Sequence, residues 1–255
     1  TALPSVTFYD NGTPESVAGI LMEGLQRKAR ARQSRAIIYT AENHNHAAEI
    51  LEQALVLRLG AEAADVLDWC QMLNSVIGKM SGTVADPHQI AEQQLTPMAP
   101  GIPRCFLVEE FNRILVTRIR WPDFRRAITV FLEKADLLPF EEAKLYGHNA
   151  AHALIGYLAH RQDYTYMAQA GADHRIMAVA RQAFLEESGG ALCARYAGVD
   201  PLFTATGFKA YVDDLLVRMM NPHLRDAVAR IIRDPRRKLG WEDRLVGTMR
   251  LALQY

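Results

Sequence analysis

The chain has 255 residues, 49% of them hydrophobic, which is enough to bury one large core or two modest ones. Its 29 Lys and Arg side chains balance 29 Asp and Glu side chains, so no overall field draws the protein to nucleic acid or to an anionic membrane. No apolar stretch reaches the roughly 20 residues that cross a bilayer, and the Thr1-Ala2-Leu3-Pro4 start lacks the features of a secretion signal. We therefore expect a globular cytoplasmic protein without a membrane or nucleic-acid partner.

The first half of the chain alternates strand and helix patterns. Val6–Tyr9 and Ala36–Thr40 are short β-branched and aromatic runs typical of strands, and Pro14–Arg30 between them has the apolar spacing of a helix. A second helical pattern and two extended runs follow, at Ala47–Leu59, Ser75–Met80 and Arg104–Glu109. The first half is therefore predicted to be α/β, with a β-α-β unit at its start.

From about Pro122 onward the pattern is helical throughout. Recurring apolar faces occur in Phe124–Lys134, Phe140–Ala159, Arg175–Tyr196, Gly207–Met219 and Trp241–Leu253. A seam is predicted near Asp136–Pro139, where a proline ends one apolar run and precedes another. The pattern predicts an α/β domain over residues 1–135 and an all-helical domain over residues 136–255.

The start of the chain lacks one feature of dinucleotide-binding sheets. Such sheets normally open with a glycine-rich turn, because only glycine lets backbone amides close on a pyrophosphate. The sequence contains no G-x-G-x-x-G, and Thr1-Ala2-Leu3-Pro4 is similar to the end of a strand in mid-sheet. We expect that an opening β-α-β unit is missing from this chain.

The most concentrated set of reactive side chains is Lys144, Asn149 and His152, on a stretch predicted to be helical from about Phe140. At about 100° per residue of an α-helix, the three would occupy one broad side of that helix. They offer a base, an amide donor and an imidazole. That combination suits removal of a proton from an alcohol whose carbon loses a hydride.

As a base, Lys144 must be neutral part of the time, although the ordinary pKa of lysine is about 10.4. Burial and the positive end of its own helix would lower that pKa, whereas Glu141 and Glu142 would oppose the change if they lie close. The residues alone leave both outcomes open. Taken singly, a lysine or histidine on an apolar helix is more often structural.

The His44-Asn45-His46 segment has a metal-binding and a structural interpretation. Two imidazoles could share an ion, but alternate residues of a helix diverge by about 200°. No Cys or carboxylate set at zinc-like spacing completes the site, and the three cysteines are scattered, as reduced core residues would be. We prefer a helix start with Asn43 or Asn45 as the cap, and expect no metal.

Positive charges cluster near the C-terminus, at Arg233, Arg236, Arg237, Lys238 and Arg244. Most runs of this kind are solvated faces. A sugar phosphate, however, needs forked donors, and arginine supplies them in a geometry that lysine does not match. The cluster is therefore either an exposed face or the part of a site that holds a phosphate.

Several segments together resemble the polyol-specific long-chain dehydrogenases. The run Glu142–Leu158 contains the Lys-x4-Asn-x2-His signature of that family at Lys144, Asn149 and His152. Further blocks in family order are Glu42-Asn43, Asn74-Ser75, Glu186–Gly190, Asn221–Asp226, and Arg233–Leu239 with Asp243–Leu245. The resemblance covers essentially the whole chain.

The resemblance implies four catalytic residues. Lys144 would be the general base, Asn74 and Asn149 would hold the developing oxyanion, and His152 would bind a substrate hydroxyl. For Asn74 this role depends wholly on the resemblance, since an isolated asparagine is usually a turn residue.

The resemblance also implies a fold, a cofactor and a phosphate site. Residues 1–135 would be part of a Rossmann-like nucleotide-binding domain, in which Glu42 and Asn43 contact NAD, or alternatively NADP. Residues 136–255 would be a helical, mannitol-dehydrogenase-type substrate and catalytic domain without a catalytic metal. The substrate phosphate is assigned to Arg236, Arg237, Lys238 and Arg244.

The function implied is an NAD-dependent oxidoreductase that interconverts mannitol 1-phosphate and fructose 6-phosphate, so the expected partner is a small sugar phosphate or polyol. One alternative is a dehydrogenase of free mannitol, or of a sugar acid such as mannonate or altronate, which would not need the basic cluster. Another is a truncated, non-catalytic sugar-binding or assembly module. The missing glycine-rich turn favours the module, and the Lys144, Asn149 and His152 set favours catalysis.

Overall fold

The computed structural model describes residues 9–42, 44, 46–111 and 113–255. The chain divides into two compact units, one made of residues 1–78 and 112–138 and the other of residues 79–111 and 139–255. Most of the strand predicted at Val6–Tyr9 lies outside the described residues, and Tyr9 itself is in a turn. No described helix is both long and apolar enough to cross a membrane.

The described residues form six strands and thirteen α-helices. The strands are β1 (Ala36–Thr40), β2 (Cys70–Ile77), β3 (Ser81–Val84), β4 (Cys105–Val108), β5 (Ile114–Thr117) and β6 (Phe131–Lys134). The helices are α1 (Val17–Arg30), α2 (Ala47–Leu59), α3 (Ala63–Leu67), α4 (Pro87–Glu92), α5 (Leu138–Glu142), α6 (Asn149–His160), α7 (Met167–Gly171), α8 (His174–Gln182), α9 (Gly189–Arg195), α10 (Ala205–Met219), α11 (Val228–Ile231), α12 (Pro235–Lys238) and α13 (Val246–Gln254).

The first unit is a mixed sheet with helices, in the strand order β1-β2-β5-β6. Strands β1 and β2 are parallel and pair from Ala36 with Cys70 to Thr40 with Asn74. A parallel pair needs a crossover connection, and α2 provides most of it. Strand β5 then pairs antiparallel with β2 and parallel with β6.

The core of the first unit lies between this sheet and α1, α2 and α3. Ala18 of α1 and Leu55 of α2 are fully buried, and Leu51, Val66 and Cys70 pack in the same cluster. The predicted strand Ala36–Thr40 and helix Ala47–Leu59 are confirmed to the residue. The predicted fold class, α/β followed by all-α, is confirmed as well.

The second unit consists of helices together with the antiparallel β3–β4 hairpin. Its core contains an aromatic cluster in which Phe184, Phe208 and Tyr211 lie with ring centroids 5.6 to 5.9 Å apart. After the hairpin, Glu109 accepts a hydrogen bond from Nε of Arg218 in α10 at 3.0 Å. The arginine also stacks over the ring of Phe111, at 3.8 Å from its centroid. These contacts fix the 79–111 segment to the helical unit.

Two features differ from the sequence analysis. The helix predicted for Phe124–Lys134 is wrong: residues 122–130 have no regular structure and Phe131–Lys134 is strand β6. The apolar spacing there was compatible with a helix, but pairing with β5 determines the structure. Residues 79–111, predicted to belong to the first domain, group with the helical unit.

Candidate active site

The lysine of the signature lies in a π-helical turn. Residues Ala143–His148 form this turn between α5 and α6, and the backbone N–H of Asn149 donates to the carbonyl of Lys144, five residues back. We call this segment the first π-turn. In the regular α-helix predicted from the sequence, the side chains of Lys144 and Asn149 would point about 140° apart around the helix axis. A π-turn holds more residues per turn and brings residues five apart closer to one face.

Burial dominates the electrostatics of Lys144. The side chain is largely removed from solvent, which lowers the pKa of its ammonium group below the usual value. Glu141 opposes this shift and Arg244 reinforces it. Of the two outcomes that the sequence left open, the structure favours the lowered pKa. A larger fraction of Lys144 is therefore neutral near physiological pH, as a general base requires.

His148, which had no assigned role, is buried beside this lysine. Burial lowers the pKa of its imidazole well below the usual value, and His152, Lys144, Arg218 and Arg244 all act in the same direction. The rings of His148 and His152 lie 6.2 Å apart. His148 is therefore neutral in the folded protein, and the electrostatics beside Lys144 depend on the other groups.

His152 faces an acidic partner across the second unit. Its Nε2 lies 3.2 Å from Oδ2 of Asp226, and both side chains are mostly buried. Despite this short distance, the His152 Nε2 makes no hydrogen bond of good geometry. Arg230 donates to the other carboxylate oxygen at 2.8 Å. Burial alone would raise the pKa of Asp226, but His152 and Arg230 bring it below the usual value.

The basic cluster divides into exposed and buried members. Arg233 and Arg236 are exposed, whereas Lys238 is only 4% exposed and Arg244 is mostly buried. Burial lowers the pKa of Lys238, and Arg244 and Arg237 lower it further, against Asp234 and Asp243. Arg244 also lowers the pKa of Lys144, so this arginine lies within electrostatic range of the signature lysine.

The side chain of Asn74, in the first unit, has several hydrogen-bond partners. Its Oδ1 accepts the backbone N–H of Ala48, at the start of α2, at 2.8 Å. Its Nδ2 donates to both carboxylate oxygens of Glu49, at 3.0 and 2.8 Å. In this structure Asn74 therefore caps α2 from the neighbouring strand. The proposed caps Asn43 and Asn45 lie outside the described residues, and His46 at the cap position makes no side-chain cap bond.

The described residues fit a dinucleotide only in part. Glu42 follows strand β1, and Asn74 lies within β2 where its parallel pairing with β1 ends. Dinucleotides bind at the carboxyl ends of such parallel strands. Asn43, assigned to the same cofactor, lies outside the described residues. The sequence has no glycine-rich turn, so these residues do not account for binding of the pyrophosphate. Across the described ranges, no group of three or more His, Cys, Asp or Glu could hold a metal ion.

Three features of the site were not predicted from the sequence: an ion pair, the π-turn and the burial of one lysine. Asp226 and Arg230 are four apart and could have been recognised as a helix-type ion pair. The π-turn had no such signal, because its hydrogen-bond register depends on residues far away in sequence. The near-complete burial of Lys238 was equally invisible in a run of positive charges.

Comparison with known proteins identifies the helical unit. Residues 136–255 match the sequence profile of the mannitol dehydrogenase C-terminal domain. The match covers 120 of the 255 residues. The resemblance to polyol-specific long-chain dehydrogenases, recognised at Lys144, Asn149 and His152, is thereby confirmed, and homologous polyol dehydrogenases align with most of the chain.

Among curated relatives, a mannitol-1-phosphate 5-dehydrogenase from Geobacillus thermodenitrificans is 29% identical over 242 residues, covering 94% of this chain and 56% of the relative. Another, from Caldanaerobacter subterraneus subsp. tengcongensis, is 40% identical over 117 residues, covering 46% of this chain and 29% of the relative. The chain thus spans about half the length of the first relative.

Two solved structures share the fold. A D-sorbitol dehydrogenase in substrate-free form superposes with a TM-score of 0.74 at 17% identity, over 97% of this chain and 50% of that one. The Pseudomonas fluorescens mannitol 2-dehydrogenase ternary complex with NAD and D-mannitol has a TM-score of 0.63 at 20% identity, over 90% of this chain and 46% of that one. At these identities the likeness establishes the fold.

Proposed function

We propose that this chain carries the catalytic and substrate-binding part of a nicotinamide-dependent oxidoreductase that interconverts mannitol 1-phosphate and fructose 6-phosphate. The observation that carries this proposal is the burial of Lys144 on the first π-turn, with its pKa lowered. A buried, partly neutral lysine can take a proton from a hydroxyl, and Arg244, which acts electrostatically on it, can attract an anionic substrate. The names of the curated relatives support the same reaction.

In the proposed reaction Lys144 takes the hydroxyl proton as the substrate carbon loses a hydride. Asn149 follows Lys144 on the same face and donates its amide to the developing oxyanion. His152, held beside Asp226, binds a neighbouring hydroxyl of the sugar. The same groups act in reverse in ketone reduction, when the lysine returns its proton.

A phosphate on the substrate is proposed to bind Lys238 and Arg244, the buried members of the basic cluster. Arg244 is paired with the carboxylate of Asp243 at 2.8 Å, which leaves the group of three side chains with one net positive charge. A phosphate would supply the negative charge that balances it. Arg237 lies next to them with its own partner, Asp234. Arg236, assigned to the phosphate from the sequence, is exposed and is the weakest member of the set.

The hydride acceptor is proposed to be NAD, which is bound in the structurally similar mannitol 2-dehydrogenase complex. NADP is the alternative. A nicotinamide supplies the hydride chemistry that no amino-acid side chain can perform. Glu42 and Asn43 are proposed to contact it. The missing glycine-rich turn predicts that this chain alone holds the dinucleotide weakly.

The proposal is tested by following NADH consumption with fructose 6-phosphate, and NAD reduction with mannitol 1-phosphate, in the unaltered chain and in Lys144→Met. We expect turnover with the phosphorylated pair that disappears in the variant. Free mannitol, mannonate and altronate are assayed in parallel. Turnover with these alone would replace the phosphorylated substrate with a neutral polyol or a sugar acid.

Calorimetry separates catalysis from simple binding. Mannitol 1-phosphate that binds without any turnover, at saturating NAD, would overturn the enzymatic proposal and support a sugar-binding module. An equal affinity for mannitol and mannitol 1-phosphate would show that the site does not recognise the phosphate. The proposed oxidation of the polyol would be unaffected by that result.

A further inference from the structure

The carbonyl of Tyr146, in the middle of the first π-turn, accepts hydrogen bonds from two side-chain hydroxyls. Ser188 Oγ donates to it at 2.7 Å, and Thr248 Oγ1 at 3.0 Å. Both residues are buried, with 3% and 8% of their surface exposed. They lie 42 and 102 residues away in the chain. Three separate segments therefore meet at one backbone atom, two residues after Lys144.

A π-turn needs support of this kind. It changes the register of helix hydrogen bonds from four residues to five, and the carbonyl groups at such a change lose their regular partners. A buried carbonyl without a partner is costly. Two hydroxyl donors match the two lone pairs of one carbonyl oxygen. At this change of register the Tyr146 carbonyl receives two hydroxyl donors from other segments.

Packing around the same turn adds to this support. Ser188 ends a second π-helical turn, Ala183–Ser188, which begins beside Phe184. A Cβ on Gly147 would lie 2.7 Å from Cε2 of that phenylalanine, so only glycine permits this contact. A Cβ on Gly247, next to Thr248, would lie 2.6 Å from the Tyr146 ring. The first π-turn thus packs against the Phe184 ring at Gly147, and its Tyr146 ring packs against the backbone of Gly247.

The two hydroxyls are not equivalent. Thr248 has one proton, which it shares between Tyr146 and the carbonyl of Arg244 in the preceding turn, at 2.5 Å. Ser188 donates its proton to the Tyr146 carbonyl and to no other acceptor among the described residues. We expect Ser188 to contribute more.

We propose that Ser188 and Thr248 are positioning residues for the Lys144 site, which act by holding the first π-turn through the carbonyl of Tyr146. Neither touches a reacting atom in this proposal. Their effect is to fix the register that places Lys144 and Asn149 on one face. The expected effect on catalysis rests on the proposed function of Lys144. The expected effect of the two hydroxyls on the structure of the turn does not.

The test uses the full chain in four variants. Ser188→Ala and Thr248→Val each remove one hydroxyl at nearly constant volume. Thr248→Ser restores the hydroxyl that Thr248→Val lacks. Tyr157→Phe is the matched control, because it removes another hydroxyl that donates to a backbone carbonyl in the same unit, that of Ile232 at 3.2 Å. Each variant is first checked for cooperative thermal unfolding.

Two measurements report on the turn without turnover. Reductive methylation with carbon-13 labels the lysines, and the Lys144 resonance is the one that is absent from the Lys144→Met spectrum. Titration of that resonance with pH gives the pKa of Lys144. Amide exchange reports on the Asn149 N–H that bonds to Lys144. In Ser188→Ala and Thr248→Val we expect the Lys144 pKa to rise toward its ordinary value as water enters, and exchange at Asn149 to quicken on the order of tenfold. Thr248→Ser and Tyr157→Phe should match the unaltered chain.

Where the chain turns over, kcat should fall roughly tenfold or more in Ser188→Ala, with KM little changed, since a misplacement of 1 Å costs about a hundredfold. Folded Ser188→Ala and Thr248→Val proteins with unchanged titration and exchange would overturn the proposal. So would unfolding of both, because the hydroxyls would then support the whole fold. Failure of the proposed reaction is recognised separately, as activity that survives Lys144→Met.

Discussion

The side chain of Asn74 caps helix α2 by accepting the backbone N–H of Ala48, two residues into the helix and 26 residues away in the chain. Its amide nitrogen is bound to Glu49, the next residue of the same helix. An asparagine within strand β2 thus fixes the start of a helix that precedes that strand. The geometry links a residue assigned to catalysis with the stability of the first unit.

Replacement of Asn74 by alanine is therefore expected to destabilise the first unit. Loss of a helix cap costs about 0.5 to 2 kcal/mol, and Glu49 loses its amide partner as well. The free energy of unfolding from urea titration measures the effect. Thr13→Ala, in an exposed turn of the same unit, is the control. Unchanged stability combined with a large loss of turnover would instead favour the oxyanion role implied by the family resemblance.

Lys144→Met is expected to abolish alcohol oxidation, because a positioned base contributes about a hundredfold to ten-thousandfold. It should also change the pH dependence of stability. The folded pKa of Lys144 lies below its unfolded value, so the unfolded state binds more protons between the two. Stability of the unaltered chain therefore rises with pH across that interval, and the variant lacks this rise. Parallel stability curves for the two proteins would contradict the lowered pKa.

Asn149→Ala is expected to slow the chemical step while leaving the base intact. Loss of one oxyanion donor costs about 2.7 to 4 kcal/mol. The rate of hydride transfer should fall accordingly, while its pH dependence stays that of Lys144. A pH profile displaced together with the rate would indicate that Asn149 mainly sets the position or the pKa of the lysine.

The buried and exposed arginines of the basic cluster provide a matched pair. Arg244→Ala should raise the Michaelis constant for fructose 6-phosphate about tenfold to a hundredfold, since a hydrogen bond to a charged group contributes about 1.5 to 3 kcal/mol. Arg236→Ala, on the exposed side, should change it little. Because Arg244 lowers the pKa of Lys144, its loss should also move the ascending limb of the pH profile to higher pH. Equal effects of the two variants would indicate a general surface charge effect.

The sequence predicted the elements whose pattern is local. Strand β1 and helix α2 were correct to the residue, because a β-branched and aromatic run predicts the strand and apolar helical spacing predicts the helix. The run Phe124–Lys134 failed, because a short apolar spacing fits a helix or a strand until a partner such as β5 is known. Lys144, Asn149 and His152 could be named because their spacing is a signature, and their catalytic roles stay predictions.

The features that the sequence could not supply all depend on distant partners. The π-turn at Lys144 contacts Ser188, Thr248 and the ring of Phe184, none of them near in sequence. The buried state of Lys238 depends on packing of the C-terminal helices. The local spacing of residues does not predict these long-range contacts. For that reason the angle expected between Lys144 and Asn149 was that of a regular α-helix.

The attachment of Glu109 to Arg218 bears on how such a protein can be divided or recombined. A cut at residue 136 follows the family boundary, yet it separates the arginine from a carboxylate that is itself only 7% exposed. Removing one partner of a buried ion pair costs about 3 to 5 kcal/mol. Exchange of the helical unit between homologues would thus need two crossover segments, so that residues 79–111 travel with the helices that they contact. The smallest unit that could be exchanged intact therefore consists of two separate stretches of the chain.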